Sequence, residues 1–399
     1  MKTIIRFFSM LALVGGIAVT GALAQNPCDD VDTPTAQYTK FTEQWTPLDA
    51  SLKANKAPAP ASLQEAINTG KGFLEKWGAC EAWAQQAKFV TSNVSRFEKA
   101  LVQVNDMAVY DRLDKAIAAD NSAEIYAAGK EIMTKYPDNV NVHYVLAVAA
   151  NREAAKKNNA FNAEAIRYAK SLLDSMKSGA AKLTKKNAKG QETIGALKYE
   201  YPREDAMSEL AYTIGYLTYY GQNDKKGGIQ YYYQVAQMPG FRKNYAPVYA
   251  TIGDFYIEEA APIGQQIADL IAKQKAATTD DEKLKLDEEI KAKVALFNGY
   301  TERALDAYGR AWNVAPDNTP EAKKYKDGLL GTVKDLYKRR FDKDTGAEQW
   351  VAGAIAKPLP DPTSTVQPVS DPETTTTTTT TAAPSTGAAG SVAKKPVNK

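Results

Sequence analysis

Tyr249-x2-Ile252-Gly253-x2-Tyr256, followed by Ala304-x3-Tyr308-x2-Ala311-x4-Pro316, is the stretch on which the fold turns. Apolar residues recur one helical turn apart in both pieces, the spacing of a buried helix face. Gly253 and Ala304 are small enough to let two helix backbones approach, so each piece reads as one half of an interlocked helix pair. Pro316 cannot continue a helix and closes the second one. Gly253 and Ala304 lie 51 positions apart.

The same logic repeats upstream. Gly70-Lys-Gly-Phe-Leu-Glu-Lys-Trp-Gly78 echoes Gly129-Lys-Glu-Ile-Met-Thr-Lys-Tyr-Pro137, and Ala169-Lys-Ser-Leu-Leu-Asp-Ser-Met176 is a weaker third copy. Pro137-Asp138-Asn139 and Pro316-Asp317-Asn318 are matching turns. Ile214-Gly215 and Gly228-Ile229-Gln230-Tyr231-Tyr232-Tyr233 fit another helix pair, joined at Gly221-Gln-Asn-Asp-Lys. The 249–316 pieces resemble the tetratricopeptide (TPR) repeat, W-x2-L-G-x2-Y, then A-x3-F, then P, with Tyr in place of Trp and Phe. A TPR unit of about 34 residues leaves roughly a dozen positions between its small residues. This repeat has therefore been opened to hold a helical insertion at 261–300, either a protruding hairpin or a lengthening of the repeat's own helices. The resemblance implies an all-α, TPR-like α-α solenoid of stacked helical hairpins with an extended binding surface.

The remaining body, to residue 356, is rich in Ala, Lys, Glu, Gln, Leu and Tyr, with Pro and Gly between periodic segments. Thr33-Pro34 reads as the start of a first helix to about Ala54, carrying Tyr38, Phe41, Trp45, Leu48 and Leu52 on one face. Ser62-x-x-Glu65 reads as a capping box for the next. Thr319-Pro320-Glu321 opens a last helix whose Tyr325, Leu329, Val333, Leu336 and Tyr337 face inward, while Lys334, Lys338, Arg339 and Arg340 face outward. From Lys357 to Lys399 the composition turns to Pro, Thr, Ser and Ala, with eight threonines from Thr374 to Thr381. Such a tail is expected to be disordered.

Residues 1–24 read as a secretory signal: Lys2 and Arg6 are the charged region, Phe7–Val19 the apolar run, and Ala22-Leu23-Ala24 the cleavage site. No later segment is apolar enough to span a membrane, so an exported protein is expected, in the periplasm or else at the cell surface or secreted. Cys28 and Cys80, the two cysteines, are expected to form a disulfide. The net charge of +3 falls to +1 without Lys2 and Arg6, which argues against a nucleic-acid partner. Lys182–Lys189 reads as a solvated basic loop.

No cofactor, metal or catalytic residue is implied. His143 is the sole histidine and falls where a packed aromatic is expected; a serine–histidine or cysteine–histidine arrangement would have to use it with no recognisable motif nearby, and histidine metal ligation lacks a second histidine. Tyrosine is the surplus: 22 in the chain, twelve of them within the 58 positions from Tyr199 to Tyr256. Consecutive helical residues point about 100° apart, so Tyr231, Tyr232 and Tyr233 cannot share one core. Tyr216, Tyr219, Tyr220, Tyr231, Tyr232 and Tyr233 are the candidate partner-binding residues, since tyrosine offers a broad apolar face and a hydroxyl. The expected role is non-catalytic protein or peptide binding, or scaffolding, in the cell envelope. The alternative is a small-ligand or glycan-binding protein using the 199–256 region.

Overall fold

The computed structural model describes residues 27–370. The signal segment at 1–24 and the threonine run therefore lie outside the described residues. The body expected over 25–356 divides into two compact units, residues 1–108 and 109–399.

The first unit is built from α1 (Asp32–Lys53), α2 (Pro60–Trp77) and the amino-terminal part of α3 (Ala84–Ala118). Phe41 and Leu48 of α1 are buried, with Tyr38, Trp45 and Leu52 packed beside them. The indole of Trp45 donates to Asn93 Oδ1 at 2.8 Å. A Cβ on Gly70 would stand 2.4 Å from Val94 and 2.9 Å from Phe41, so the small residue that opens the first echo is a helix crossing point. Cys28 and Cys80 are disulfide-bonded with Cα atoms 5.4 Å apart, tying the turn at Pro27–Asp29 to the loop after α2.

Both expected helix starts shift. Helix α1 begins at Asp32, ahead of Thr33-Pro34, because Asp30 Oδ1 accepts from the backbone N–H of Asp32 and Thr33. Helix α2 begins at Pro60 and not at the Ser62 box. Proline's preset φ suits the first helical position, where no N–H is required.

The second unit continues with α4 (Ser122–Lys135), α5 (Val140–Val148), α6 (Ala150–Ala155), α7 (Asn162–Lys177), α8 (Arg203–Tyr216), α9 (Lys225–Gln237), α10 (Ala246–Ala276), α11 (Asp280–Val314), α12 (Pro320–Phe341) and α13 (Ala347–Ile355). Helices pack chiefly on neighbours in sequence: α4 on α5, α7 on α8, α8 on α9, α10 on α11, α11 on α12 and α13. Gly129, the start of the second echo, would place a Cβ 2.6 Å from Leu146 of α5. Gly253 of α10 would place one 2.5 Å from the Tyr308 ring of α11, whose hydroxyl donates to Asp254 Oδ1.

The 261–300 insertion is the lengthening of α10 and α11 themselves, 31 and 35 residues long and joined at Ala277–Thr279. Pro262 lies inside α10 without ending it, and Thr279 caps α11 by accepting from Glu282 N–H.

Three further differences from expectation stand out. The Lys182–Lys189 run is not only a solvated loop: β1 (Lys185–Lys186), β2 (Glu192–Ile194) and β3 (Tyr201–Pro202) form a small antiparallel sheet in the order β1-β2-β3. Lys185 Nζ donates to Gly195 O at 2.9 Å and pairs with Glu200. Strands of two or three residues leave no period to read. Arg340 does not face outward but is buried, its Nε bonded to Glu302 Oε1 at 2.7 Å. Most consequentially, residues 357–370 are ordered against α10 and α11, with Leu359 and Val366 buried, so the expected disordered tail does not start at Lys357. The residues beyond 370 lie outside the described part.

Candidate functional tyrosine face

Tyr212, Tyr216 and Tyr220 are spaced four apart and form one stripe at the end of α8, because four residues bring a helix back to the same side. Tyr212 and Tyr216 are stacked with centroids 5.9 Å apart and planes at 10°, and Tyr216 and Tyr220 follow at 5.6 Å. The helix widens into a π-turn over Leu217–Gly221. Gly228 of α9 backs onto this turn so closely that a Cβ there would lie 2.7 Å from Tyr219 N. The outcome is a split between adjacent residues: Tyr219 turns inward against Tyr232, at 6.0 Å, while Tyr220 stays on the stripe.

The six candidate tyrosines therefore do not share a face. Tyr219 and Tyr232 are core, and burial pushes both hydroxyl pKa values up. Tyr231 lies on a separate polar cleft between α7 and α9, beside Lys170, Asp174 and Lys177. Tyr233 is half-buried against the core. Tyr216 and Tyr220 remain on the stripe.

Tyr220 keeps 51% of its surface accessible. Its hydroxyl pKa is nevertheless pushed up to about 12, first by burial and then by the Asp254 and Glu258 carboxylates, against the opposing bond to Thr251. Thr251 Oγ1 gives its hydrogen to Pro247 O at 2.8 Å, so the Tyr220 hydroxyl is the donor in its 3.1 Å bond to Thr251. The hydroxyl pKa of Tyr325 on α12 is raised to about 12 by burial, then by Tyr245, Asp254 and Tyr220.

The other end of the stripe is locked by Arg242, on a 3-10 turn at Phe241–Asn244. Phe241 N–H, at the head of that turn, donates to Asp205 Oδ1 at 2.8 Å. The Arg242 guanidinium lies 4.2 Å from the Tyr212 ring centre and 4.5 Å from that of Tyr245. Its Nε and Nη2 reach Glu209 Oε2 and Oε1 at 2.6 and 3.1 Å. Burial opposes the charge, and the Glu209 carboxylate overcomes it, so the guanidinium's pKa lies above its ordinary value. Asn151 Nδ2 adds a donor to Glu209 Oε1 at 3.3 Å. This pair is engaged within the protein and braces the Tyr212 and Tyr245 rings.

Tyr212 and Tyr245 belong to the tyrosine surplus, but their place on this face was missed, as were Arg242 and Glu209. The spacing of Tyr212, Tyr216 and Tyr220 was a usable signal. The arginine clip had none, because its partners lie on different elements. His143 packs edge-on to Tyr168 at 5.2 Å, and burial pushes its imidazole below the ordinary value. Among the described residues no group of three or more His, Cys, Asp or Glu side chains could hold a metal ion, and no helix is long and apolar enough to cross a membrane. Comparison of the chain with protein-family models, with curated proteins and with solved structures finds no match.

Proposed function

We propose that the chain is a non-catalytic, exported protein-binding or scaffolding protein of the cell envelope, built as a TPR-like solenoid, and that the Tyr216–Tyr220 face holds a protein or peptide partner. The observation that carries this reading is Tyr220, accessible over half its surface while its ring continues the stripe 5.6 Å from that of Tyr216. Aromatic side chains with that combination are the usual anchors of protein interfaces, since they bury a large area at small entropic cost. The repeated small residues at helix crossings, Gly129 against Leu146 and Gly253 against Tyr308, support the stacked-hairpin architecture. The Cys28–Cys80 disulfide supports export to an oxidising compartment. A glycan needs an open ring face, and Tyr216 lies between Tyr212 and Tyr220, which favours a protein ligand over a sugar.

The test is a pull-down from the native envelope fraction, followed by titration of the recovered partner against the parent chain and Tyr220→Ala. Little packing is lost at a half-exposed ring, so helical content and melting should stay near those of the parent. Binding should weaken at least tenfold, about 1.4 kcal/mol. Equal affinity of the two chains would reject this face as the binding surface.

A further inference from the structure

Residues 357–370, Lys-Pro-Leu-Pro-Asp-Pro-Thr-Ser-Thr-Val-Gln-Pro-Val-Ser, are held by their main chain. Arg303 of α11 directs Nη1 to the carbonyl oxygens of Asp361 and Ser364 and to Ser364 Oγ, each at 3.1 Å. Its Nη2 donates to Thr365 O at 3.0 Å. Two apolar anchors seven positions apart, Leu359 and Val366, are buried at 5% and 7% accessibility. Farther along, Val369 N–H donates to Ala295 O at 2.8 Å, and Asn298 Nδ2 donates to Val369 O at 3.3 Å. Tyr256 of α10 donates its hydroxyl to Pro360 O at 3.4 Å.

Gly299 explains why this is a groove. A Cβ at that position would lie 2.2 Å from Gln367 O and 3.0 Å from Val366. Glycine inside a helix costs about 1 kcal/mol relative to alanine, so its presence within α11 needs a reason. The reason here is that the strap's backbone passes where any side chain would stand. Fixed φ at four prolines lowers the entropy lost on docking, and the strap turns once, where Ser364 N–H donates to Asp361 O at 3.1 Å.

We propose that α10 and α11 form a peptide-recognition groove, shaped by Arg303 and Gly299, for proline-bearing segments with two apolar anchors, and that residues 359–369 are its built-in ligand. Recognition runs mainly through carbonyl oxygens and through two anchors that join the buried core cluster, so the segment sits on the helix pair as a ligand would. This groove is distinct from the tyrosine face and stands or falls independently of it.

The test uses the full chain. Leu359→Asp with Val366→Asp removes both anchors and vacates the groove while leaving every groove residue in place. A labelled synthetic peptide of residues 357–370 is then titrated by fluorescence anisotropy. Saturable binding is expected to the vacated chain, none to the parent, whose groove is filled in cis, and at least tenfold weaker binding when Arg303→Ala or Gly299→Ala is added. No binding to a vacated chain that keeps its helical signal overturns the proposal; so does binding that neither added change weakens, or equal binding to the parent. If the vacated chain does not fold, hydrogen exchange of the parent and of Gly299→Ala decides. The Val369 amide should be protected in the parent and should exchange at least tenfold faster in the variant, with α11 amides still protected. Unchanged protection at Val369 overturns the proposal.

Discussion

Gly253→Ala sets two effects of known size against each other. In an isolated helix the change stabilises by about 1 kcal/mol, because alanine loses less backbone freedom. Here the new Cβ would meet both Cδ2 and Cε2 of Tyr308 at 2.5 Å, where ordinary contact begins at 3.4 Å. The ring must retreat by about 1 Å, yet it is buried at 8% accessibility and its hydroxyl is anchored on Asp254 Oδ1 at 2.5 Å. Overpacking of this kind costs about 1–3 kcal/mol, and disturbing the bond to a carboxylate adds to it. The net expectation is a loss of about 1–2 kcal/mol. With a urea slope of about 1–3 kcal/mol per molar, the midpoint of the 222 nm ellipticity transition should fall by roughly 0.3–2 M. The sign must reverse when the obstacle is removed: in a Tyr308→Ala background the same change should stabilise by roughly 0.5–1 kcal/mol. The cycle should therefore show a coupling of about 1.5–3 kcal/mol. A coupling below about 0.5 kcal/mol, the scatter of independent sites, would refute the interlock.

Three other outcomes follow from the structure. Replacing Cys28 and Cys80 with Ser opens a loop of 52 residues, and the chain-entropy relation puts the loss at about 4 kcal/mol; it should appear in the denaturant transition of residues 1–108, and an unshifted transition would contradict it. Arg242→Met leaves Glu209 without its cation in a site where its side chain is 8% accessible, and breaking such a buried pair costs about 3–5 kcal/mol; a loss under 1 kcal/mol by urea titration would show that the clip is not the brace described. His143 is held neutral by burial, its pKa below 6.5 in the fold, so the unfolded chain takes the proton first. The stability present above pH 6.5 should be lost as pH falls through the folded-state value. His143→Phe, with no proton to bind, should show no such decline between pH 7 and 5, and an equal decline in both chains would refute the assignment.

Helices, their order and their crossing points were legible in the chain because they depend on local spacing. Apolar residues one turn apart defined the inner faces of α1 and α12, and Phe41, Leu48, Leu329, Val333 and Leu336 are buried as that spacing requires. Gly253 announced close approach in the sequence, while Gly70 and Gly129 opened echoed segments and prove in the structure to be crossing points too. The disulfide followed from an even pair of cysteines behind a signal-like segment.

What tertiary structure alone decided are the features made by residues far apart in sequence. Composition marks 357–370 as tail, since prolines and threonines bury little, but whether such a segment docks depends on what faces it. Arg303 and Gly299 lie some sixty positions away and supply the donors and the space. Arg340 looked solvated because a charge on a helix usually is; Glu302, 38 residues away, makes burial tolerable. The six candidate tyrosines illustrate the limit most clearly. Sequence shows that three consecutive tyrosines diverge, yet only the π-turn and the approach of Gly228 send Tyr219 inward and leave Tyr220 in the open. Periodicity records which side of a helix a residue takes; which side meets a neighbour is settled by the packing of elements the local sequence does not contain.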